Sequence, residues 1–396
     1  MRMDELKLKL GSEIKIERVL QVLERLVAFQ SVNPGGKEQE AAHYIANFMR
    51  AAGCEVSLQE VEPGRPNVIA VLKGSGRGKS IIFNTHIDVV PAGEGWSSDP
   101  FTMQVDDGRV IGRGVMDAKG PLAAMMVAIE AIASAAIALP GDIILAAVVD
   151  EEAASLGAKG LPQELTASFA VIGEATNRTL AIAHRGSIRP IVAVKGVSAH
   201  SSTPQLGKNA VSLMAKAVVA LDRFAEEQLV HRTHPLTGQS SLAVTIIKGG
   251  IKESMIPDYC EALIDRRLIP GESEQAALEE MMNVLESDPQ LAGQVYIERM
   301  IPTTGTASET NEQHELVQLG KQVLADVYGQ ETVITGLTAN CDMTHFVAKG
   351  IPAVIYGPGD FSIAHKVDEW VTIDELEKAA YVYAYFALEA ASQVEA

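Results

Sequence analysis

Two hydrophobic textures alternate along the chain. Up to about residue 180, short stretches that are apolar at nearly every position, among them "IIF" (81–83), "GDIILAAVVDEE" and "ASFAVIGE", are separated by helical spacing over 13–29, 38–52 and 121–138. A strand that is apolar on both faces must be covered on both faces. These runs therefore predict a central sheet, at least partly parallel, with helices on either side. Strands are also predicted near 55–61, 67–72 and 80–85, and a polar loop over 86–112. From about residue 180 the apolar positions alternate instead, in "IRPIVAVKG", "SLAVTIIKGG" and "DYCEALIDRRL", as in strands with one wet face. Helical spacing returns over 207–228 and 273–287. Two helices on one face of a mostly antiparallel sheet make an α+β unit. Buried-strand texture resumes in "IPAVIYGPG", and a helix over 373–392 follows. The predicted organisation is an α/β first domain in two pieces, 1–180 and 296–396, with a second domain inserted at 181–295.

Composition narrows the class. The 396 residues are 47% apolar and 21% charged, as in a soluble globular protein with a large core. Lys and Arg number 33 against 51 Asp and Glu, a net charge of −18, which disfavours nucleic acid and anionic membrane as partners. The three cysteines, Cys54, Cys260 and Cys341, are too scattered for a disulfide scaffold or a thiolate metal site. A reducing compartment, the cytoplasm, is the expectation. The opening "MRMDELKLKLGSEIKIERVL" has no apolar core of export-signal length. The segment "GPLAAMMVAIEAIASAAIALPG" approaches membrane-span length, but it contains Glu130 and follows Lys119, and is expected to be a buried helix.

The candidate chemistry lies where buried strands end. In open α/β sheets ligands bind at the carboxyl ends of the strands. His86 and Asp88 follow "IIFNT", and their spacing of two puts both side chains on one side. Asp150, Glu151 and Glu152 follow "IILAAVV", Glu174 follows "FAVIG", and His365 follows "IPAVIYGPGDFSIA". Asp117 sits in the glycine-flanked "GRGVMDAKG". Each alone has an ordinary structural reading; together they form a donor set. Imidazoles and carboxylates without thiolate suit zinc, cobalt or manganese. One carboxylate can bridge two ions, leaving His86, Glu152, Glu174 and His365 to supply two ligands per ion.

Seven motifs in order, "THIDVVP", "GRGVMDAKG", "VVDEEAASLGAKG", "GEAT", "GVSAHSSTPQLGKNA", "DRRLIPGE" and "GPGDFSIAHKVDE", resemble the M20 metallopeptidases over about residues 20–390. The branch with acetylornithine deacetylase and succinyl-diaminopimelate desuccinylase looks most similar. The resemblance implies a zinc-exopeptidase-like catalytic domain with a mixed, largely parallel sheet, and a ferredoxin-like inserted domain serving as lid and dimerisation surface. It implies two zinc ions (Zn2+) per subunit, with Co2+ or Mn2+ as alternatives. His86 and Glu174 would hold one ion, Glu152 and His365 the other, and Asp117 would bridge them. Glu151 would be the general acid/base and Asp88 the carboxylate that orients His86. His200 would reach the partner's site across a homodimer and stabilise the oxyanion, while Arg267 and Arg185 are substrate-binding candidates. The implied reaction is hydrolysis of the amide bond of an N-acyl amino acid by metal-activated water, with a carboxypeptidase or dipeptidase acting on a short peptide as the alternative. Three positions depart from the family pattern. Ser254 stands where many members have Asn, Thr344 in "CDMTHF" where many have Arg, and Ala118 where Met usually follows the bridging Asp.

Overall fold

The computed structural model describes residues 3–393. The chain folds into two compact units. One comprises the residues up to Ala183, Glu309–Gly336 and those from Cys341 onward; the other comprises His184–Ser308 and Leu337–Asn340.

The first unit is built on a nine-stranded mixed sheet. Four neighbouring strands, Ile143–Val148, Ile81–His86, Phe169–Ile172 and Ala353–Ile355, run parallel. All four are buried along their whole length, which is why their sequences are apolar without alternation. Because they are parallel, their carboxyl ends open on one edge. Arg65–Leu72 joins Ile143–Val148 antiparallel, with Glu55–Glu62 beyond it.

Helix Lys119–Ser134 packs on strand Ile81–His86 and contacts helices Ile373–Ser392 and Ile16–Ala28. Nearly all of its residues are buried, including Lys119, so its uniform apolarity reflects a core helix rather than a membrane one. Gly120 permits the close approach at its start: a Cβ there would lie 2.2 Å from the Val115 carbonyl oxygen. Among the described residues no helix is long and apolar enough to cross a membrane.

Two features lie outside the sequence expectations. A helix, Met3–Glu13, precedes the first predicted one. The region read as a polar loop, 86–112, contains strands Gln104–Asp106 and Arg109–Ile111, and the latter pairs with Trp370–Thr372. Strands of three residues are too short to display a two-residue period.

The second unit has the order strand–helix–strand–strand–helix–strand. Its antiparallel sheet runs Ser241–Gly249, Tyr259–Leu268, Gly186–Lys195, Val295–Ile301. This is a ferredoxin-like arrangement. Helices Ala210–Glu227 and Glu274–Glu286 contribute Leu213, Met214, Leu221, Met281 and Leu285 to a core shared with Val192, Cys260 and Ile264. Asn209 and Ser273 cap these helices with side-chain oxygens that accept first-turn N–H groups. Strand Val295–Ile301 completes the sheet, so this unit runs on past residue 295 to Ser308.

Candidate metal centre

The opened edge of the parallel strands gathers the predicted donors. His86 ends its strand. The turn after Ile143–Val148 carries Glu151 and Glu152, and Glu174 lies just beyond Phe169–Ile172. His365 follows Ala353–Ile355 through a loop and adopts a left-handed backbone, φ 64°, uncommon for a residue with a Cβ. Asp117 lies between the imidazoles. Its Oδ1 is 3.2 Å from His86 Nε2, and its Oδ2 is 3.3 Å from His365 Nε2. Glu174 Oε1 is 3.7 Å from His86 Nε2, and Glu152 Oε2 is 3.1 Å from His365 Nε2. Each imidazole thus faces one oxygen of a shared carboxylate and one glutamate of its own. The ligand atoms of His86, Asp117 and Glu152 lie within 4.8 Å of one another, as do those of His86, Glu151 and Glu174. Distance alone therefore admits Glu151 as a donor too.

Electrostatics give the cluster its chemical character. Burial, reinforced by neighbouring acids, pushes Glu151 and Glu174 well above the usual carboxylate range and Glu152 up to about 7. Burial works against charge on His86, yet Asp117, Glu174, Glu151 and Asp88 outweigh it and raise the imidazole. His365 is raised to about 10 by its hydrogen bonds to Asp117 and Glu152. Burial likewise opposes charge on Asp117, but the His365 and His86 rings hold its carboxyl far below the ordinary range. Acids crowded in this way need positive charge, which protons on the glutamates and imidazoles supply when no cation does. Glu152 Oε1 is buried without a hydrogen-bond partner. Two imidazoles, four converging carboxylates and an open oxygen fit divalent cations of the zinc, cobalt or manganese kind.

Asp88 takes part in a way the spacing did not foretell. His86 Nδ1 donates to the Asp88 backbone carbonyl at 2.9 Å, whereas the Asp88 carboxylate stands 3.7 Å from that nitrogen. The carboxylate instead accepts the N–H groups of Glu151 and Glu152 at 3.1 and 3.2 Å, and the Asn33 amide at 2.8 Å. The Asn33 amide also donates to Asp150 at 3.0 Å. Asp150, at φ 68°, is ion-paired with Arg65, which in turn grips the buried Glu38. Asn33, Arg65 and Glu38 escaped the sequence reading because they lie far from the acids in the chain. The "VNPGG" around Asn33 reads as an ordinary turn.

His200, Arg267 and Arg185 belong to the second unit. His200 is exposed, with Nδ1 2.7 Å from Ser202 Oγ. Arg267 is engaged by Asp265 through Nε at 2.6 Å and Nη2 at 3.2 Å. Arg185 donates from Nε to the Thr237 carbonyl, and burial and then Arg267 lower its pKa. In the first unit Thr344 is buried in the short helix Met343–Ala348.

A family model described as peptidase family M20/M25/M40 matches residues 82–389. The chain belongs to this family. The M20 chain is 30% identical over 394 residues, 91% of each sequence, to an N-formyl-4-amino-5-aminomethyl-2-methylpyrimidine deformylase of Halalkalibacterium halodurans. To an acetylornithine deacetylase of Proteus mirabilis it is 26% identical, over 92% of this chain and 94% of the relative. Its fold superposes with a TM-score of 0.69 on a dinuclear metal binding M20 peptidase from Bacillus subtilis, at 17% identity and covering 95% and 99% of the two chains. The M20 chain is accordingly a hydrolase of amide bonds in a metal-dependent family, with the α/β catalytic fold and inserted α+β domain anticipated from its motifs.

Proposed function

We propose that this chain is a cytoplasmic two-zinc amidohydrolase that frees the amine of a small N-acyl compound, an N-acyl amino acid in the first instance. The observation that carries this reading is the Asp117 carboxylate, whose two oxygens face two separate imidazole–glutamate pairs. On this reading His86 and Glu174 would hold one ion, Glu152 and His365 would hold the other, and Asp117 would serve both. Zinc, or cobalt or manganese in its place, would supply Lewis acidity and would lower the pKa of a bound water. Glu151 then does the proton work. Its raised pKa suits a group that takes a proton from the attacking water and returns it to the departing nitrogen. Amide nitrogen leaves only as the protonated amine, so this second transfer is what makes the bond breakable. Asp88 fixes the backbone on which Glu151 and Glu152 stand. In a homodimer His200 of the second copy donates to the carbonyl oxygen as negative charge develops there.

A second reading of the amine is favoured by Thr344. No guanidinium stands where the resemblance expects one, and Arg267 is already paired with Asp265. That pattern suits an amine without a carboxylate, as in the substrate named for the deformylase relative. A panel assayed on the zinc-loaded protein decides between the two readings. It comprises N-acetylornithine, N-succinyl-diaminopimelate, the N-formyl aminomethylpyrimidine and a set of dipeptides. Highest kcat/KM on an N-acyl amino acid supports the first reading, and on the formyl pyrimidine the second. Preference for dipeptides contradicts both and points to a dipeptidase.

A further inference from the structure

We infer that Glu369 is a positioning residue that sets how tightly the Asp117–His365 half of the site holds its cation. The inference rests on the two-cation reading above and adds a residue to which the sequence motifs assign no role. Among the described residues, the partners of the Asp117 carboxylate are the two imidazoles alone. Its placement must therefore come from its backbone. That backbone is gripped from behind by a single side chain. Glu369 Oε1 accepts the N–H groups of Met116 at 2.9 Å and Asp117 at 3.1 Å. Its Oε2 accepts Gly114 N–H at 3.2 Å and Arg113 Nη1 at 2.6 Å. Four donors thus converge on one carboxylate that is fully buried. The turn that presents Asp117 is wrapped around it.

Both ends of the ligand pair meet at this carboxylate. Glu369 lies four residues after His365, in the segment leading into strand Trp370–Thr372, and that strand is registered against Arg109–Ile111. Gly112 N–H donates to the Glu369 carbonyl at 3.0 Å, closing the connection at its other side. Arg113, itself buried, reaches back with Nη2 to the His365 carbonyl oxygen at 3.4 Å, and its guanidinium lies 5.1 Å from the Trp96 ring centre. Moving Glu369 would therefore displace the Asp117 turn and the His365 segment relative to each other. Those two residues face one another across 3.3 Å, and a cation held between them senses that spacing directly. Groups that hold ligands from behind commonly change metal affinity by about 10- to 100-fold when removed.

Glutamine at 369 keeps the shape but offers one acceptor oxygen to four donors, and it turns an NH2 group toward two of them. The test measures zinc affinity of wild type, Glu369→Gln and Glu375→Gln by competition with a chromophoric chelator. Thermal melting in excess chelator records the fold of each variant separately. Glu375 is a second buried acid, bonded to Arg178 and Thr372, and among the described residues it bonds none of the metal-site side chains. Glu369→Gln is expected to weaken zinc binding by about 10- to 100-fold, with kcat at saturating zinc reduced more than KM. Glu375→Gln is expected to lower melting while leaving zinc affinity unchanged. Should Glu369→Gln not fold, Glu369→Asp, which draws the carboxylate back by one methylene, carries the same expectation. Zinc affinity within about twofold of wild type in the folded variant overturns the inference. A wild type that binds no zinc overturns the two-cation reading beneath it instead.

Discussion

At the scale of single residues, the adjacent Glu151 and Glu152 show how placement separates two chemically identical side chains. Both backbone N–H groups are fixed by the Asp88 carboxylate, so the two side chains leave the turn from a rigid base. Glu152 meets His365 at 3.1 Å, whereas among the described residues no ion pair engages Glu151, which is raised by burial and by Glu174. Glu151→Gln is therefore expected to retain its full complement of zinc while kcat falls by about 10²- to 10⁴-fold and KM changes little. Steady-state kinetics and elemental analysis on one preparation check both halves. Near-wild-type turnover would remove Glu151 from its role, and loss of zinc would make it a ligand. His86, Glu151, Glu152 and Glu174 stand out in the sequence because they follow buried runs, where a polar group is conspicuous, while Asp117 lies in a glycine-flanked loop and His365 beyond a loop. Glu369, Arg113 and Asn33 do not. Glu369 and Arg113 hold backbone N–H groups and carbonyls, and Asn33 holds the carboxylates of Asp88 and Asp150, all distant in sequence, and the pattern of side chains carries no trace of that.

At the scale of elements, periodicity identified those long enough to display it. The parallel strands and the helix that packs on them appear where their apolar runs lie. The three-residue strands around 104–111 and 370–372 went unread, although they align the Asp117 turn with the His365 segment. The ends of the second unit's main segment have their own chemistry. Strand Leu180–His184 ends in an imidazole that is wholly buried, its Nδ1 donating to the Arg185 carbonyl and its Nε2 accepting from Ser308. Ser308 opens the strand on which the chain returns. Burial lowers the His184 pKa to about 4, below the value of about 6.5 it has when unfolded. The unfolded chain thus takes up this proton first. The stabilisation that goes with neutral His184 is complete above pH 6.5 and is lost as pH falls toward 4. The full loss amounts to about 3 kcal/mol. Denaturant unfolding of wild type and His184→Gln between pH 7 and pH 4 should give stability curves that converge on acidification. Curves that stay parallel would show that His184 does not carry this acid sensitivity.

At the scale of the whole molecule, a chain of net charge −18 concentrates several of its acids at one buried edge, where they could hold cations. The start of the second unit, after Ala183, lies close to the change of hydrophobic texture near residue 180. Its far boundary was less readable, because Val295–Ile301 belongs to the inserted sheet while its sequence, "VYIERMI", alternates weakly. The central claim is that two cations share Asp117. Anomalous diffraction at the zinc edge from zinc-loaded crystals tests it most directly. Two peaks about 3.5–4 Å apart are expected, one beside His86 and Glu174 and one beside His365 and Glu152, with Asp117 between them. A single peak, or two peaks away from Asp117, would contradict it.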